Sequence, residues 1–273
     1  MSPGTIGPHI DPPLAAIPGI LRSGGWHVFQ TTLRDPKRLS KDGVPDEDDR
    51  RAYADAGAGD LWGVAHASLL TSLGSPDPRI RNASASTLAG DANLAAELGL
   101  AGVCFHVGYQ KGHDSREAAL DAVARKLGEV IGKLKPGARV LLENGCEGTE
   151  LGQTVAEVAY VVRAVDAPAE TLGVLFDTCH LHVAGLDLAA TDGAERLADE
   201  IAEAGLTERL AALHLNDAQF PCGSHRDRHA APGTGTIGEG LRRIVQHPVF
   251  APLPAILEIP IEQVPPAREY LAE

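Results

Sequence analysis

The sequence predicts a single α/β domain over residues 1–273, folded as a (β/α)8 TIM barrel with its active site at the C-terminal mouth of the strands. Three observations carry that expectation. Eight short apolar runs recur along the chain, stretches of helical period lie between them, and capping or turn residues stand at the joints. The length of 273 residues suits one large barrel with a substantial core. With 44% hydrophobic but only 4% aromatic residues, that core is expected to be aliphatic.

Taken in order, the first two runs are "GTIGPHI" (4–10) and "WHVFQTT" (26–32), and the acidic "PDEDD" (45–49) after them reads as a solvated helix face. The third run, "WGVAHA" (62–67), precedes Ser75 and Asp77 interleaved with Pro76 and Pro78, a helix-start pattern for the periodic stretch 82–100. "GVCFHVG" (102–108) is the fourth, and Ser115, with Glu117 soon after, opens the periodic stretch 116–134. "RVLLEN" (139–144) is the fifth, and Thr154 with Glu157 three residues on forms a capping-box pattern. "LGVLFDTCH" (172–180), the solvated "ADEIAEAG" (198–205), "LAALHLND" (210–217) and "PAILEIP" (254–260) complete the series, with Gly99, Gly137 and Gly173 marking approaches to strands. No linker, low-complexity tract or internal repeat interrupts the pattern.

The charge balance is 24 minus 37, or −13, which taken alone argues against a polyanionic partner. Basic residues are nevertheless grouped, with Arg34, Lys37 and Arg38 in one segment, Arg79 and Lys111 in others, and Arg226 and Arg228 in a later loop. The N-terminal segment has no basic stretch before its apolar residues, and no run approaches the ~20 apolar residues of a membrane span, so a soluble, cytoplasmic protein with no membrane partner is expected. Cys104, Cys146, Cys179 and Cys222 are far apart with no Cys-x-x-Cys pair, and are expected to be reduced.

In such a barrel the chemistry sits at the C-terminal ends of the strands and on the loops that follow. Those positions hold His66 on the third run, His106 on the fourth, Glu143 on the fifth, Asp177 and His180 on the sixth, His214 on the seventh and Glu258 on the eighth. The loop "SHRDRHAAPGTGTIG" (224–238) adds Asp227 and His229, which in an extended segment project to one side. Turn chemistry accounts for Pro232, Gly233, Gly235 and Gly238, but not for that Asp and His. All nine are ligand types for borderline divalent metals, gathered at one mouth. His9, His27, His113, His182, His225 and His247 read as local polar residues, with His182 and His225 near enough to support the nine.

From about residue 8 to 270 the sequence resembles the endonuclease IV family of apurinic/apyrimidinic endonucleases. The resemblance is carried by "LLEN" (141–144), "FDTCHLHVAGLDL" (176–188), "LHLNDAQ" (213–219), "GSHRDRH" (223–229), "GTGTIG" (233–238) and "ILEIP" (256–260), with weaker support from "VAHASLLTSLGSPD" and "FHVG". It implies three zinc ions per chain, with Mn²⁺ as an alternative at one position. His66, His106 and Glu143 would hold one ion, and Glu143 would bridge to a second held by Asp177, His214 and Glu258. His180, Asp227 and His229 would hold the third. Glu143 and Glu258 would be the catalytic carboxylates. Four carboxylates against six positive charges would leave the mouth at about +2.

The same resemblance implies a monomer that acts in base-excision repair on double-stranded DNA. It would hydrolyse the phosphodiester 5′ to an abasic site, leaving a 3′-hydroxyl and a 5′-deoxyribose phosphate, and would also remove 3′ blocking groups. DNA contacts would come from Arg34, Leu69, Arg226 and Arg228. The chain departs from the family pattern at "HASL", where Leu69 stands near the usual aromatic wedge, and at Tyr109 and Gln219, where Ser and Lys are common. Two other readings use the same residues. A sugar isomerase or epimerase of the same barrel type would use Glu143, Asp177, His214 and Glu258, and a non-catalytic nucleic-acid or metal-binding module would need none of the chemistry.

Overall fold

The structure is a computed structural model that describes residues 5–39 and 44–273, so Gly4 of the first run lies outside it. In chain order its elements are β1 (Ile6–Pro8), α1 (Ile17–Gly24), β2 (Val28–Thr32), α2 (Glu47–Asp55), β3 (Trp62–His66), α3 (Pro78–Glu97), β4 (Val103–His106), α4 (Arg116–Ile131), β5 (Val140–Glu143) and α5 (Val155–Val165). Then follow β6 (Leu172–Asp177), α6 (Thr178–Ala184), α7 (Gly193–Glu203), β7 (Leu210–His214), β8 (Asp217–Ala218), β9 (His229–Ala230), α8 (Glu239–Gln246), β10 (Ala255–Leu257) and α9 (Val264–Ala272). All eight apolar runs contain a barrel strand.

Eight parallel strands pair in the order β1-β10-β7-β6-β5-β4-β3-β2. A parallel bridge between His9 and Gln30 joins the two ends of that order and closes the ring. The closure depends on Gly7, because a Cβ there would stand 1.7 Å from the Val28 carbonyl oxygen. Strand alternation divides the core in two. Val28, Val64, Cys104, Leu141, Leu175, Ala212 and Ile256 fill the lumen, while their neighbours Phe29, Phe105 and Phe176 point outward beneath the helices.

The caps follow the sequence. Asp77 accepts from the Arg79 amide at 2.8 Å, Ser115 from Ala118 at 3.0 Å and Thr154 from Glu157 at 3.2 Å. Gly99 and Gly137 sit at φ 72° and 84° before their strands, whereas Gly173 lies inside β6, where Arg139 and Leu141 leave no room for a side chain. The sixth run also ends earlier than its apolar pattern suggests. Strand geometry stops at Asp177, whose carboxylate caps α6, so His180 is a helical residue and not a strand residue. The cysteines are all free: Cys104, Cys146 and Cys179 are buried and Cys222 half-buried.

Candidate metal centre

The register that builds the barrel also aligns the polar residues at its mouth. His106 pairs with Glu143 across β4 and β5, and Asp177 pairs with His214 across β6 and β7. His66 ends β3, and Glu258 follows β10, its amide held by Asn216 Oδ1 at 2.9 Å. His180 enters from the first turn of α6, where its own amide donates to Asp177 Oδ1 at 2.9 Å. Asp227 and His229 arrive on a long excursion between β8 and β9, which pair antiparallel with Ala218 opposite His229.

Asp217 anchors that excursion and the glycine-rich segment after it. Its buried carboxylate accepts from the amides of Gly233 and Gly235 at 3.0 Å, and from Ala218 and Ile237 at 2.9 Å. Gly235 has to be glycine, because a Cβ would lie 2.4 Å from the Ala218 carbonyl oxygen. Gly233 and Gly238 adopt φ of 87° and 50°. "GTGTIG" is therefore a wrapping for Asp217, and it sets where the Asp227–His229 segment returns.

The nine side chains form three adjoining groups. His66 Nε2 and His106 Nε2 face Glu143 Oε2 at 3.3 and 3.6 Å. His214 Nδ1 faces Glu143 Oε1 at 2.8 Å, Glu258 Oε2 at 3.4 Å and Asp177 Oδ2 at 3.8 Å. Asp227 lies 3.3 Å from both His180 Nε2 and His229 Nε2. Glu143 is common to the first two groups. Seven of the nine, with His9 and Leu69, line a cavity of 420 Å³.

Four of the five histidines are fixed from behind. His66 Nδ1 donates to the Ala67 carbonyl at 2.7 Å, His106 Nδ1 to Glu150 Oε1 at 2.9 Å, His180 Nδ1 to the Asn144 carbonyl at 2.9 Å and His214 Nε2 to Gln30 Oε1 at 2.7 Å. Each bond selects the tautomer whose other nitrogen looks into the cluster, which is the arrangement that orients a metal-ligating imidazole. The carboxylates are held too. Asn216 Nδ2 donates to Asp177 Oδ2 at 2.6 Å and to Glu258 Oε2 at 3.1 Å, and Gln30 donates to Glu258 Oε1 at 2.6 Å.

Burial opposes charge on Glu143, Glu258, His180 and His214, and the fields of their neighbours override it. Burial disfavours the Glu143 carboxylate, yet His214 and His106 hold its pKa well below the usual carboxylate range. Glu258 is held at about 2 against the same burial by His214 and His229. Burial also opposes charge on His180 and His214, but Asp177 and Asp227 around the first, and Glu258 and Glu143 around the second, raise both well above the ordinary imidazole value. Such a cluster of buried carboxylates needs cations.

The donor set fits divalent metal on a direct observation. Among the described residues Glu143 Oε2, His180 Nε2 and His229 Nε2 are buried without a hydrogen-bond partner, and each points into the cluster. A buried polar atom left unmatched costs about 1–3 kcal/mol, and divalent metal is the partner that suits them, at Glu143 beside His66 and His106 and at His180 and His229 beside Asp227.

The rim is built differently. Leu69 is 60% exposed and lines the central cavity together with an adjoining recess of 190 Å³ that also holds Tyr109. Arg226 is exposed and stacks over Phe220 at 3.6 Å, Arg228 is exposed beside Asp227, and Gln219 donates to the His229 carbonyl at 2.9 Å. Arg34 is turned inward, with Nε at 2.9 and 3.0 Å from the buried Asp91 carboxylate on α3. It borders a separate cavity of 510 Å³ that contains none of the nine side chains.

Sequence reasoning missed Gln30, Asn144, Glu150, Asn216 and Asp217. Asn144 and Asn216 stood in plain sight near the ends of the fifth and seventh runs, and Gln30 is the polar interruption in "VFQTT". Glu150 carried no signal, because only the folded loop after β5 brings it to His106.

The family model described as xylose isomerase-like TIM barrel matches residues 21–273. A Methanoculleus marisnigri protein named "Probable endonuclease 4" is 35% identical over 248 residues, covering 88% of this chain and 86% of its own. The crystal structure of endonuclease IV from Thermus thermophilus superposes with a TM-score of 0.83 at 28% identity, over 98% of this chain and 99% of that one. A D-tagatose 3-epimerase-like protein shares the fold alone, with a TM-score of 0.75 and 18% identity over 98% of this chain and 96% of its own.

Proposed function

The chain belongs to the endonuclease IV family of the xylose isomerase-like TIM barrels, and from that membership we propose that it is a DNA base-excision repair enzyme that hydrolyses the phosphodiester 5′ to abasic sites. The products are a 3′-hydroxyl and a 5′-deoxyribose phosphate, and 3′ blocking groups are removed by the same attack. The reading includes three zinc ions per chain, with Mn²⁺ able to take one position, and a monomer acting in the cytoplasm. No helix among the described residues is long and apolar enough to cross a membrane.

The observation that carries the proposal is the division of nine side chains into three groups, two of them sharing Glu143, with the inward nitrogens of four of the five histidines fixed by outer hydrogen bonds. His66 and His106 with Glu143 would hold one ion, Glu143 with Asp177, His214 and Glu258 a second, and His180 with Asp227 and His229 the third. When bound, such ions lower the pKa of water, polarise the phosphate and neutralise charge on the leaving oxygen. The side chains supply position. Glu143 and Glu258 are the carboxylates nearest the reaction, and Gln30 and Asn216 stop Glu258 from rotating. The three buried cysteines are not nucleophiles, since burial pushes Cys104 up to about 12 and raises Cys146 and Cys179 as well. Leu69 would wedge beside an extruded sugar, which leaves the stack most readily where no base is present. Arg226 and Arg228 flank the mouth and would contact phosphates.

A sugar isomerase would employ the four-residue group of Glu143, Asp177, His214 and Glu258 and leave the other five ligands without a purpose. Cleavage of a duplex carrying one abasic analogue decides the matter. A single incision 5′ to the lesion, abolished by chelator and restored by zinc, is expected; an intact duplex with the metal-loaded protein would contradict the proposal.

A further inference from the structure

A second set of metal-type donors lies on the other side of α6. Successive residues of an α-helix turn by about 100°, so His182 projects away from His180 and out of the mouth. Its side chain is 2% exposed. Asp187, in the turn after α6, brings Oδ1 to 3.8 Å from His182 Nδ1. Cys222, on the excursion between β8 and β9, brings a half-buried thiol, and the three donor atoms lie within 4.8 Å of one another. None of the three belongs to the nine-residue cluster.

The hydrogen bonds around His182 set it up as a ligand. The Thr236 hydroxyl donates to the Phe220 carbonyl at 2.7 Å, which leaves its oxygen to accept from His182 Nε2 at 3.4 Å. Nδ1 then carries no proton and faces Asp187. The Leu188 amide approaches Nδ1 at 3.3 Å, the long end of hydrogen-bond range and readily exchanged for a stronger partner. The backbone is already drawn together, with Gly223 N donating to the His182 carbonyl at 3.2 Å and His225 N to the Val183 carbonyl at 2.9 Å. One thiolate, one imidazole and one carboxylate make a donor set for a thiophilic divalent cation, with solvent free to complete a tetrahedron.

We propose that His182, Asp187 and Cys222 bind a thiophilic divalent ion of the zinc class, at a site separate from the nine-residue cluster. Binding transfers the Cys222 thiol proton to solvent and requires no oxidant or reductant. The ion would tie α6, the turn after it and the segment leading to Asp227 and His229 into one unit. The site rests on donor geometry alone and holds whether or not the protein cleaves DNA.

Cobalt(II) provides the test, because a thiolate-to-cobalt charge-transfer band in the near ultraviolet reports sulfur ligation. The metal-stripped full-length chain, titrated with cobalt, is expected to show that band, and Cys222→Ser is expected to lose it while binding about one ion fewer with an unchanged far-ultraviolet circular dichroism spectrum. Absence of the band in the wild-type chain, or its persistence in Cys222→Ser, would overturn the proposal. Asp187→Asn, a change at a half-exposed side chain, offers an independent arm. A band midpoint moved to at least about tenfold higher cobalt supports the site, and an unmoved midpoint contradicts it.

Discussion

The centre and the rim of the barrel mouth are constrained in opposite ways. At the centre, His106, His214 and Glu258 are positioned at strand ends, turned into the cluster, and gripped from behind by Glu150, Gln30 or Asn216. At the rim, Leu69 and Tyr109 are 60% and 46% exposed on loops, and Arg226 rests on a single aromatic face. Preorganisation is concentrated where charge has to be focused, and adaptability where a flexible polymer is to be met. Substitutions in the two regions should therefore fail in different ways: central ones in metal and turnover, rim ones in selectivity.

Removing the shared carboxylate is the most severe break. Glu143→Gln takes away the one group common to two parts of the cluster, and cleavage of abasic duplex should fall by on the order of 10³-fold or more, corresponding to several kcal/mol of lost stabilisation. Steady-state kinetics together with metal content check this; retained turnover would show that the centre is not organised around Glu143. A milder break lies one layer out. Glu150→Gln keeps the shape but weakens the grip on His106 Nδ1, and metal affinity should drop about 10–100-fold, measured by competition with a chromogenic chelator.

The rim should behave differently. Leu69→Ala removes exposed apolar surface that would bury against a base step, costing about 1–1.5 kcal/mol or roughly tenfold in preference for abasic over intact duplex. Metal content should not move. Binding curves for the two duplexes settle it, and unchanged discrimination would remove Leu69 from the rim's function.

The smallest effect concerns the seam where the ring closes. Burial disfavours the Asp11 carboxylate, but His9 and the Thr32 amide and hydroxyl overcome that and lower its pKa from 3.8 to about 2. A carboxyl depressed in the folded state contributes stability above its unfolded pKa and loses it as pH falls through the folded value. Asp11→Asn should therefore flatten the acid limb of the stability curve between about pH 4 and pH 2, by less than about 1 kcal/mol for so exposed a pair. Denaturant melts of both chains at those two pH values read the difference.

The same division explains how much could be read without coordinates. The central side chains were legible because a strand end is a fixed place: the strands that end at Glu143, Asp177 and His214 bring those residues to the mouth. Asp227 and His229 were legible only as a pair two residues apart, and their route into the site depends on Asp217, whose role comes from amides sixteen or more positions away. His180 belongs to the site by sequence but to a helix by structure, since an apolar run does not reveal where strand gives way to helix. The pairing of Arg34 with Asp91 was not legible for a related reason. A charge in a loop reads as surface until the packing shows Asp91 behind it.

Nine side chains holding three ions are the central claim, and the most direct measurement is the divalent-metal content of the Cys222→Ser chain, in which only the nine-residue cluster is intact. Elemental analysis should return close to three ions per chain, falling to two or fewer when Glu143→Gln is added. A value near one in the Cys222→Ser chain, unchanged by addition of zinc, would contradict the three-group cluster and return the protein to single-metal barrel chemistry.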